Sequence, residues 1–329
     1  MTKVLFFTDP HVRISNPRSR KDNFVETILK KLEYVGKLGD IMNVDAFVCG
    51  GDWLDRPDIP YSMLGQFIGV MTKFGRPIYT VIGNHEEYGY NPDTHSRTAL
   101  VALTSAGILT RLSSTDPALI GDNIAITGAD AHSKLDKGFR TEDYVVCPRV
   151  EGRTNIRVVH GYLKDGPEFN RIPSTDISDI LDTQADVILT GHEHSGYGVI
   201  HRSGKTFCNP GALARVSASV GDVNLEVKVA LVTVDMGEVT VELIPLPAEV
   251  ARPASEVLDR VALEEEKAHK QAMTEFSNSA RNAVERFSFN DKMDVFQALE
   301  KYIEDEDVED DVALILRREL ERAQEEVTR

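Results

Sequence analysis

The chain has 329 residues, 41% hydrophobic and 27% charged, with a formal net charge of -16. That length suits one large α/β domain or two smaller ones, and the composition is that of a globular chain rather than a disordered one. No apolar run is long enough to span a membrane, and the start, Met1 to Phe7, reads as a strand too short for a signal peptide. Three widely spaced cysteines, Cys49, Cys147 and Cys208, argue against a disulfide framework and for a reducing, cytoplasmic setting. The charge is uneven: Ala251 to Arg329 holds 21 acids against 12 bases, and the first 250 residues hold 32 against 25. So acidic a chain is a poor non-specific binder of nucleic acid, and DNA would have to be met by a local basic face, by bound metal or through a partner.

In chain order, Lys3 to Thr8 reads as a buried strand that stops at Asp9-Pro10-His11. Phe24, Ile28, Leu32 and Val35 fall at helical spacing within Arg20 to Lys37. Val44 to Cys49 is the second strand, ending at Gly50-Gly51-Asp52, and Tyr61 to Phe74 the second helix. Pro77 to Ile82 is the third strand, ending at Gly83-Asn84-His85-Glu86. A short helix from Arg97 to Ser105 precedes strands at Ile108 to Leu112, Asn123 to Gly128 and Asn155 to Val159, the last ending at His160-Gly161. After a short helix from Asp176 to Leu181, the strand Asp186 to Thr190 ends at Gly191-His192-Glu193-His194. Tyr197 to His201, Thr206 to Asn209, Glu226 to Asp235 and Glu238 to Pro245 then read as antiparallel strands joined by Ser203-Gly204 and Met236-Gly237 turns. Pro245, Pro247 and Pro253 mark a linker, dividing a domain over 1–246 from a helical region over 247–329. In that region Leu258, Val261, His269, Met273 and Phe276 fall largely at intervals of three and four, with later sets at Val295, Leu299, Ile303 and at Val308, Val312, Ile315.

In open α/β sheets ligands sit beyond the carboxyl ends of the strands. Five predicted strand ends carry Asp9 and His11, Asp52, Asn84 and His85, His160, and His192 and His194. Taken singly, Asp9 suits a helix cap, Asn84 a turn and His160 a satisfied core histidine. Together they would require five independent strand ends to end in metal-ligand types by chance. With one shared carboxylate, assigned to Asp52, seven ligands suffice for two cations a few ångström apart, the arrangement for in-line displacement at phosphorus. His85 cannot easily share a metal with its neighbour Asn84, and suits a cationic or proton-donating place near the leaving oxygen. His95, His132, His201 and His269 match no motif and read as structural; Trp53 and Leu54 read as packing.

The set Asp-x-His, Gly-Asp, Gly-Asn-His-Glu, His-Gly and Gly-His-x-His, in this order over roughly Lys3 to Leu246, resembles the calcineurin-like metallophosphoesterase family. The resemblance implies an α/β fold, a two-sheet αββα sandwich, here with a C-terminal helical extension. It implies that Asp9, His11, Asp52 and His194 hold one metal, that Asp52, Asn84, His160 and His192 hold the other, and that His85 is the catalytic histidine. Manganese is the expected metal, and iron or zinc suits the same donors. Gly51-Asp52-Trp53-Leu54-Asp55-Arg56-Pro57, Asn209-Pro210-Gly211-Ala212-Leu213-Ala214-Arg215 and the helical C-terminus are similar to the SbcD-type nuclease subunits, and the short length suits a phage-encoded or divergent member. That likeness implies a DNA-repair nuclease, an SbcC-type SMC-like ATPase docked on the C-terminal helices, and a homodimer. The histidine that some of these nucleases carry near Asp55 is absent, and no β-rich capping domain fits between Leu246 and Ser255. Gly51-Asp52-x-x-Asp55-Arg56 is also like the phosphoprotein phosphatases, but Pro57 and Ile82 stand where that pattern has glycine and a phosphate-gripping arginine. A cyclic-nucleotide or other small-substrate phosphodiesterase is the remaining enzyme reading, and a non-enzymatic scaffold would be expected to have lost ligands. Arg13, Arg18, Arg20 and Lys21, with Lys164, Arg171, Arg202, Lys205 and Arg215, are the residues that could form a basic rim for DNA.

Overall fold

Strand β1 (Thr2–Phe7) sends alternate side chains into two different cores, as the two-residue period of a strand requires. Val4 and Phe6 join Val48, Val81, Ile126, Val158 and Leu189 in one cluster, while Leu5 and Phe7 join Phe24, Ile28, Leu32 and Phe67 in another. The first cluster lies between two sheets and the second between a sheet and its helices. This computed structural model describes residues 1–137, 142–166, 173–217, 219–259, 299, 300 and 303. The chain divides into two units, Met1–Arg260 and Val261–Arg329. Most of the predicted helical tail, including Val261, His269, Met273, Phe276 and Val308, lies outside the described residues.

In the first unit β1 is followed by α1 (Phe24–Met42), β2 (Ala46–Cys49), α2 (Tyr61–Met71), β3 (Ile78–Thr80), α3 (Ala99–Ser105) and β4 (Thr110–Arg111). Next come β5 (Ala118–Ile120), β6 (Ile124–Ala129), α4 (Glu142–Val145), β7 (Thr154–Val159) and the short parallel pair β8 (Leu163–Lys164) and β9 (Thr175–Asp176). The order closes with β10 (Val187–Thr190), β11 (Gly198–Arg202), β12 (Lys205–Asn209), α5 (Val220–Asn224), β13 (Lys228–Asp235), β14 (Glu238–Pro245) and α6 (Ala254–Val257). One six-stranded sheet runs β14-β13-β1-β2-β3-β4 and the other β11-β12-β10-β7-β6-β5. On the outer side of the second sheet, Val159, Ile188 and Phe207 pack against Tyr144, Ile177 and Ile180. The result is the αββα sandwich that the motif set implied. Within each sheet the central strands are parallel, β1 to β2 to β3 in one and β6 to β7 to β10 to β12 in the other, so their carboxyl ends share an edge.

Several elements differ from the sequence reading. Helix α1 starts at Phe24 rather than Arg20, because the Asn23 side chain caps it by accepting the Glu26 N–H, and it runs on to Met42, where Asn43 takes the left-handed conformation at φ 51°. Arg20 instead forms an isolated bridge to Leu258 and binds Asp22 with two N–H groups at 2.7 Å. Strand β5 has too few residues to show a period. Strand β12 pairs antiparallel with β11 but parallel with β10, so the second sheet closes on a mixed strand. After Leu246 the chain stays on this unit, with Val250, Ala251, Val257 and Leu258 buried. Trp53 is fully buried between Phe7 and Phe67, ring centroids 5.2 and 5.5 Å away, and donates its indole N–H to Thr80 Oγ1 at 2.9 Å.

Lys31 is buried on the inner face of α1, where its ammonium donates to the Leu213 carbonyl at 2.7 Å. Burial first, then Arg215 and Arg20, bring its pKa down to about 7. Between about 7 and the ordinary 10.5 the unfolded chain binds a proton that the folded chain has released, so stability should rise with pH across that window. Urea unfolding from pH 6 to 10 should therefore show the wild type gaining stability relative to a Lys31→Met variant; parallel curves would remove Lys31 as the cause.

Candidate active site

Three of the five strand ends deliver their side chains through a backbone turn that few residues adopt. Asp9, His11, Asp52 and His192 all have positive φ, at 52°, 46°, 51° and 72°. For residues other than glycine this region costs about 1–3 kcal/mol each, so the surrounding hydrogen bonds must over-determine it. They do: Asp9 N donates to Gly51 O at 3.2 Å, His11 N to Asp52 O at 3.0 Å, and His192 N to the Asp9 carboxylate at 3.1 Å. Two glycines make the approach of the loops possible. A Cβ on Gly83 would stand 2.0 Å from Asp52 Oδ1, and one on Gly191 would stand 2.2 Å from Thr8 Oγ1.

The side chains converge from both sheets. His11 Nε2 lies 3.1 Å from His194 Nε2, and Asp9 Oδ1 is 3.8 Å from the first and 3.6 Å from the second. Asp52 Oδ2 stands 3.2 Å from His160 Nε2 and 3.8 Å from His11 Nε2, between the two groups. His160 Nε2 is also 3.0 Å from Asn84 Oδ1, and His192 stacks edgewise on His160 with centroids 5.1 Å apart. Within the sets Asp9-His11-His194 and Asp52-His160-His192, one potential ligand atom from each residue lies within 4.8 Å of the others. Two imidazole nitrogens facing at 3.1 Å among carboxylates satisfy their lone pairs best around a shared cation, so the donor set fits a pair of divalent ions. Seven side chains expected as ligands, Asp9, His11, Asp52, Asn84, His160, His192 and His194, are thus brought together. His85 stands beside them, its ring 4.8 Å from that of His11 and edge-on. A third set, His11-Asp52-His85, meets the same distance limit, so geometry alone would let His85 approach a metal.

Burial and the Asp52 carboxylate together set the protonation of the group. Burial lowers His11 well below the ordinary imidazole range and His192 to about 4, keeping both neutral and able to donate lone pairs. Burial would raise Asp52, but His160 and His11 hold its carboxyl below the usual range. The same contact raises His160 to about 10 against its own burial.

Residues outside the motif ligands fix these positions. Glu86 is fully buried and ties two strand ends together, accepting from Leu54 N at 3.2 Å and Gly83 N at 2.7 Å. His85 Nδ1 faces the Asp55 carbonyl at 3.0 Å, while the Asp55 carboxylate pairs with Arg13 at 3.3 Å, so it is the backbone of Asp55 that orients His85. Asn209 donates to Glu193 O at 2.9 Å and Ala212 N to His194 O at 2.9 Å, so the Asn-Pro-Gly ending braces the Gly-His-Glu-His turn. Asp136 accepts from Tyr144 Oη, Thr175 Oγ1 and Tyr162 N at 2.8, 2.7 and 2.6 Å, locking the loop after His160 to the turn at 132–137. Nothing near Asp136 in sequence signals this. His132 lines a cleft of ≈460 Å³ together with Asn84, Glu87, Lys137, His160 and His192. The expected basic rim is smaller than the sequence suggested. Arg20 and Arg215 are buried, Arg215 donating to Leu225 O at 2.7 Å and Arg252 O at 2.7 Å, and Arg202 pairs with Asp165 at 2.8 Å. Arg171 lies outside the described residues.

A dimetal phosphatase from Danio rerio superposes with a TM-score of 0.50 at 12% identity, covering 74% of this chain and 96% of that one. A Thermus thermophilus protein reaches 0.43 at 11% identity, covering 74% and 98%. The NAD nucleotidase of Haemophilus influenzae reaches 0.43 at 14% identity, covering 74% of this chain and 49% of that one. At 12% identity the likeness to the Danio rerio structure speaks to the fold alone. No curated protein matches the sequence. Among the described residues no helix is long and apolar enough to cross a membrane. The calcineurin-like phosphoesterase family model matches residues 2–196, which take in every strand end of the site, and the chain is a member of that metal-dependent hydrolase family.

Proposed function

We propose that the chain is a two-metal phosphodiesterase that cuts DNA, the nuclease subunit of an SbcD-type assembly in DNA repair or recombination. Asp9, His11, Asp52 and His194 hold one ion, Asp52, Asn84, His160 and His192 the other, and Mn²⁺ is the proposed metal. When bound, such a pair polarises the phosphoryl group and supplies a water acidic enough to attack it near neutral pH. The chain's own residues do the rest. The carboxylate of Asp52 offsets the repulsion between two cations. His85, oriented through Nδ1 by the Asp55 carbonyl, leaves Nε2 to deliver a proton to the leaving oxygen. The observation that carries the diester reading is the charge of the cleft: Lys137 is the one lysine or arginine among the described residues lining it. A phosphomonoester dianion calls for a guanidinium clamp, whereas a singly charged diester needs less positive charge. The acidic C-terminal region, with its predicted amphipathic helices, is the proposed dock for an SbcC-type SMC-like ATPase, and a homodimer is the proposed assembly. Three buried free cysteines suit a reducing cytoplasm.

Three outcomes follow. Purified chain with Mn²⁺ should release nucleotides from labelled linear DNA, and His85→Ala should slow this about 10²–10⁴-fold, the usual weight of general acid catalysis; intact DNA alongside hydrolysis of bis-p-nitrophenyl phosphate would move the substrate assignment to small diesters. Adding Mn²⁺ should raise the melting temperature of the wild type but not of Asp52→Asn, since an ion at 100 times its Kd stabilises by about 2.7 kcal/mol; equal shifts would remove Asp52 from the metal site. Glu86→Ala should weaken metal affinity about 10–100-fold, the usual cost of losing an outer partner of a metal site. Glu86→Gln, which keeps one acceptor, should recover part of it, and unchanged metal titrations in both variants would make Glu86 a packing residue only.

A further inference from the structure

Beyond the cleft at the metal centre a second cavity of ≈640 Å³ opens, and the two share Glu87, Ala131 and His132. Its walls come from the loop after β3 and the ends of β4 and β6, and include His95, Arg111 and Asp130. One of its polar atoms is unmet: His95 Nδ1 is buried with no partner. Glu87, 6% exposed, stands on the wall that the two cavities share. Its pKa is pushed up to about 7 by burial and then by Asp130, against the pull of Arg111. A buried polar atom left unmet costs about 1–3 kcal/mol, which a ligand reaching it would recover.

The remaining wall is already committed. Arg111 is anchored on the Asp130 carboxylate through Nε at 3.0 Å and through Nη2. His132 Nδ1 accepts the Lys134 N–H at 3.2 Å, so Nε2 carries the proton donated to Asp143 at 3.0 Å. With three carboxyl groups, Glu87, Asp130 and Asp143, against one arginine, the cavity does not favour a second phosphate. It favours a neutral group rich in hydrogen-bonding edges, in a volume typical of small-molecule sites.

We propose that this cavity seats the nucleobase of a nucleotide whose phosphate lies at the metal centre, with Glu87 and His95 meeting the polar edge of the base. The proposal rests on the phosphodiesterase reading above and narrows its substrate to unpaired nucleotides, because a base must leave its stack to enter such a cavity.

The test separates the cavity from the chemistry. Guanosine, adenosine, cytidine and thymidine, which carry no phosphate, are titrated onto the metal-free full chain by saturation-transfer NMR, with His95→Ala and Ser114→Trp as variants, the second filling the cavity without removing an unmet group. At least one nucleoside should bind the wild type, and both variants should weaken it tenfold or more. With Mn²⁺, each variant should also lower the ratio of kcat/KM for thymidine 5′-p-nitrophenyl phosphate to that for bis-p-nitrophenyl phosphate. No nucleoside binding to the wild type, or equal binding to correctly folded variants, overturns the cavity assignment. Nucleoside binding without turnover of either ester keeps the cavity and overturns the phosphodiesterase reading instead.

Discussion

The Asp52 carboxylate is the point where the two halves of the molecule meet chemically. One oxygen faces His160 from the second sheet and His11 from the first, at 3.2 and 3.8 Å, while the other accepts the His85 N–H at 3.0 Å. A buried carboxylate is costly unless charge or hydrogen bonds surround it. Here the compensation comes from His11 of its own sheet and from His160 across the sandwich, so the site and the packing of the sheets are one problem. The glycine at position 83 exists for this contact, because any side chain there would occupy the space of the carboxylate.

The same constraint explains the strain. Four residues of the site have positive φ, and each is held by hydrogen bonds to a neighbouring strand end rather than by its own segment. Such strain persists only on a rigid support. The apolar layer between the sheets, with Val4, Phe6, Val48, Val158 and Leu189 fully buried, provides it, and Trp53 pins the Asp52 loop from the other side. Glu86 and Asn209 then carry rigidity from the strands into the loops, so that side chains from five strand ends meet within a few ångström.

The surroundings of the site are less positive than a protein acting on polyanions would suggest. Arg20 and Arg215, which sequence alone offers as phosphate contacts, spend their donors on buried carbonyls and on Asp22. Their role is to hold the segments after His11 and after Asn209 together. Among the described residues Lys137 is the one lysine or arginine lining the cleft at the site, and the side cavity sets three carboxyl groups against Arg111.

The sequence by itself determined the parallel strands, the residues at their carboxyl ends and the family. Alternating burial and strand-to-glycine endings are local patterns, and the motif order from Asp9 to His194 is carried by the chain itself. The start of α1 also lay in local sequence, in the capping Asn23. Only the tertiary structure decided that β12 pairs parallel with β10, that Arg20 and Arg215 are internal struts, and that Glu86, Asp136 and His132 belong to the site and its cleft. These outcomes depend on contacts between residues far apart in the chain: Arg20 on Arg215, Asp136 on Thr175, His160 on Gly50. A side chain's partners across a sandwich are set by how two sheets pack, and packing energy is a property of the assembled core that no window of sequence contains.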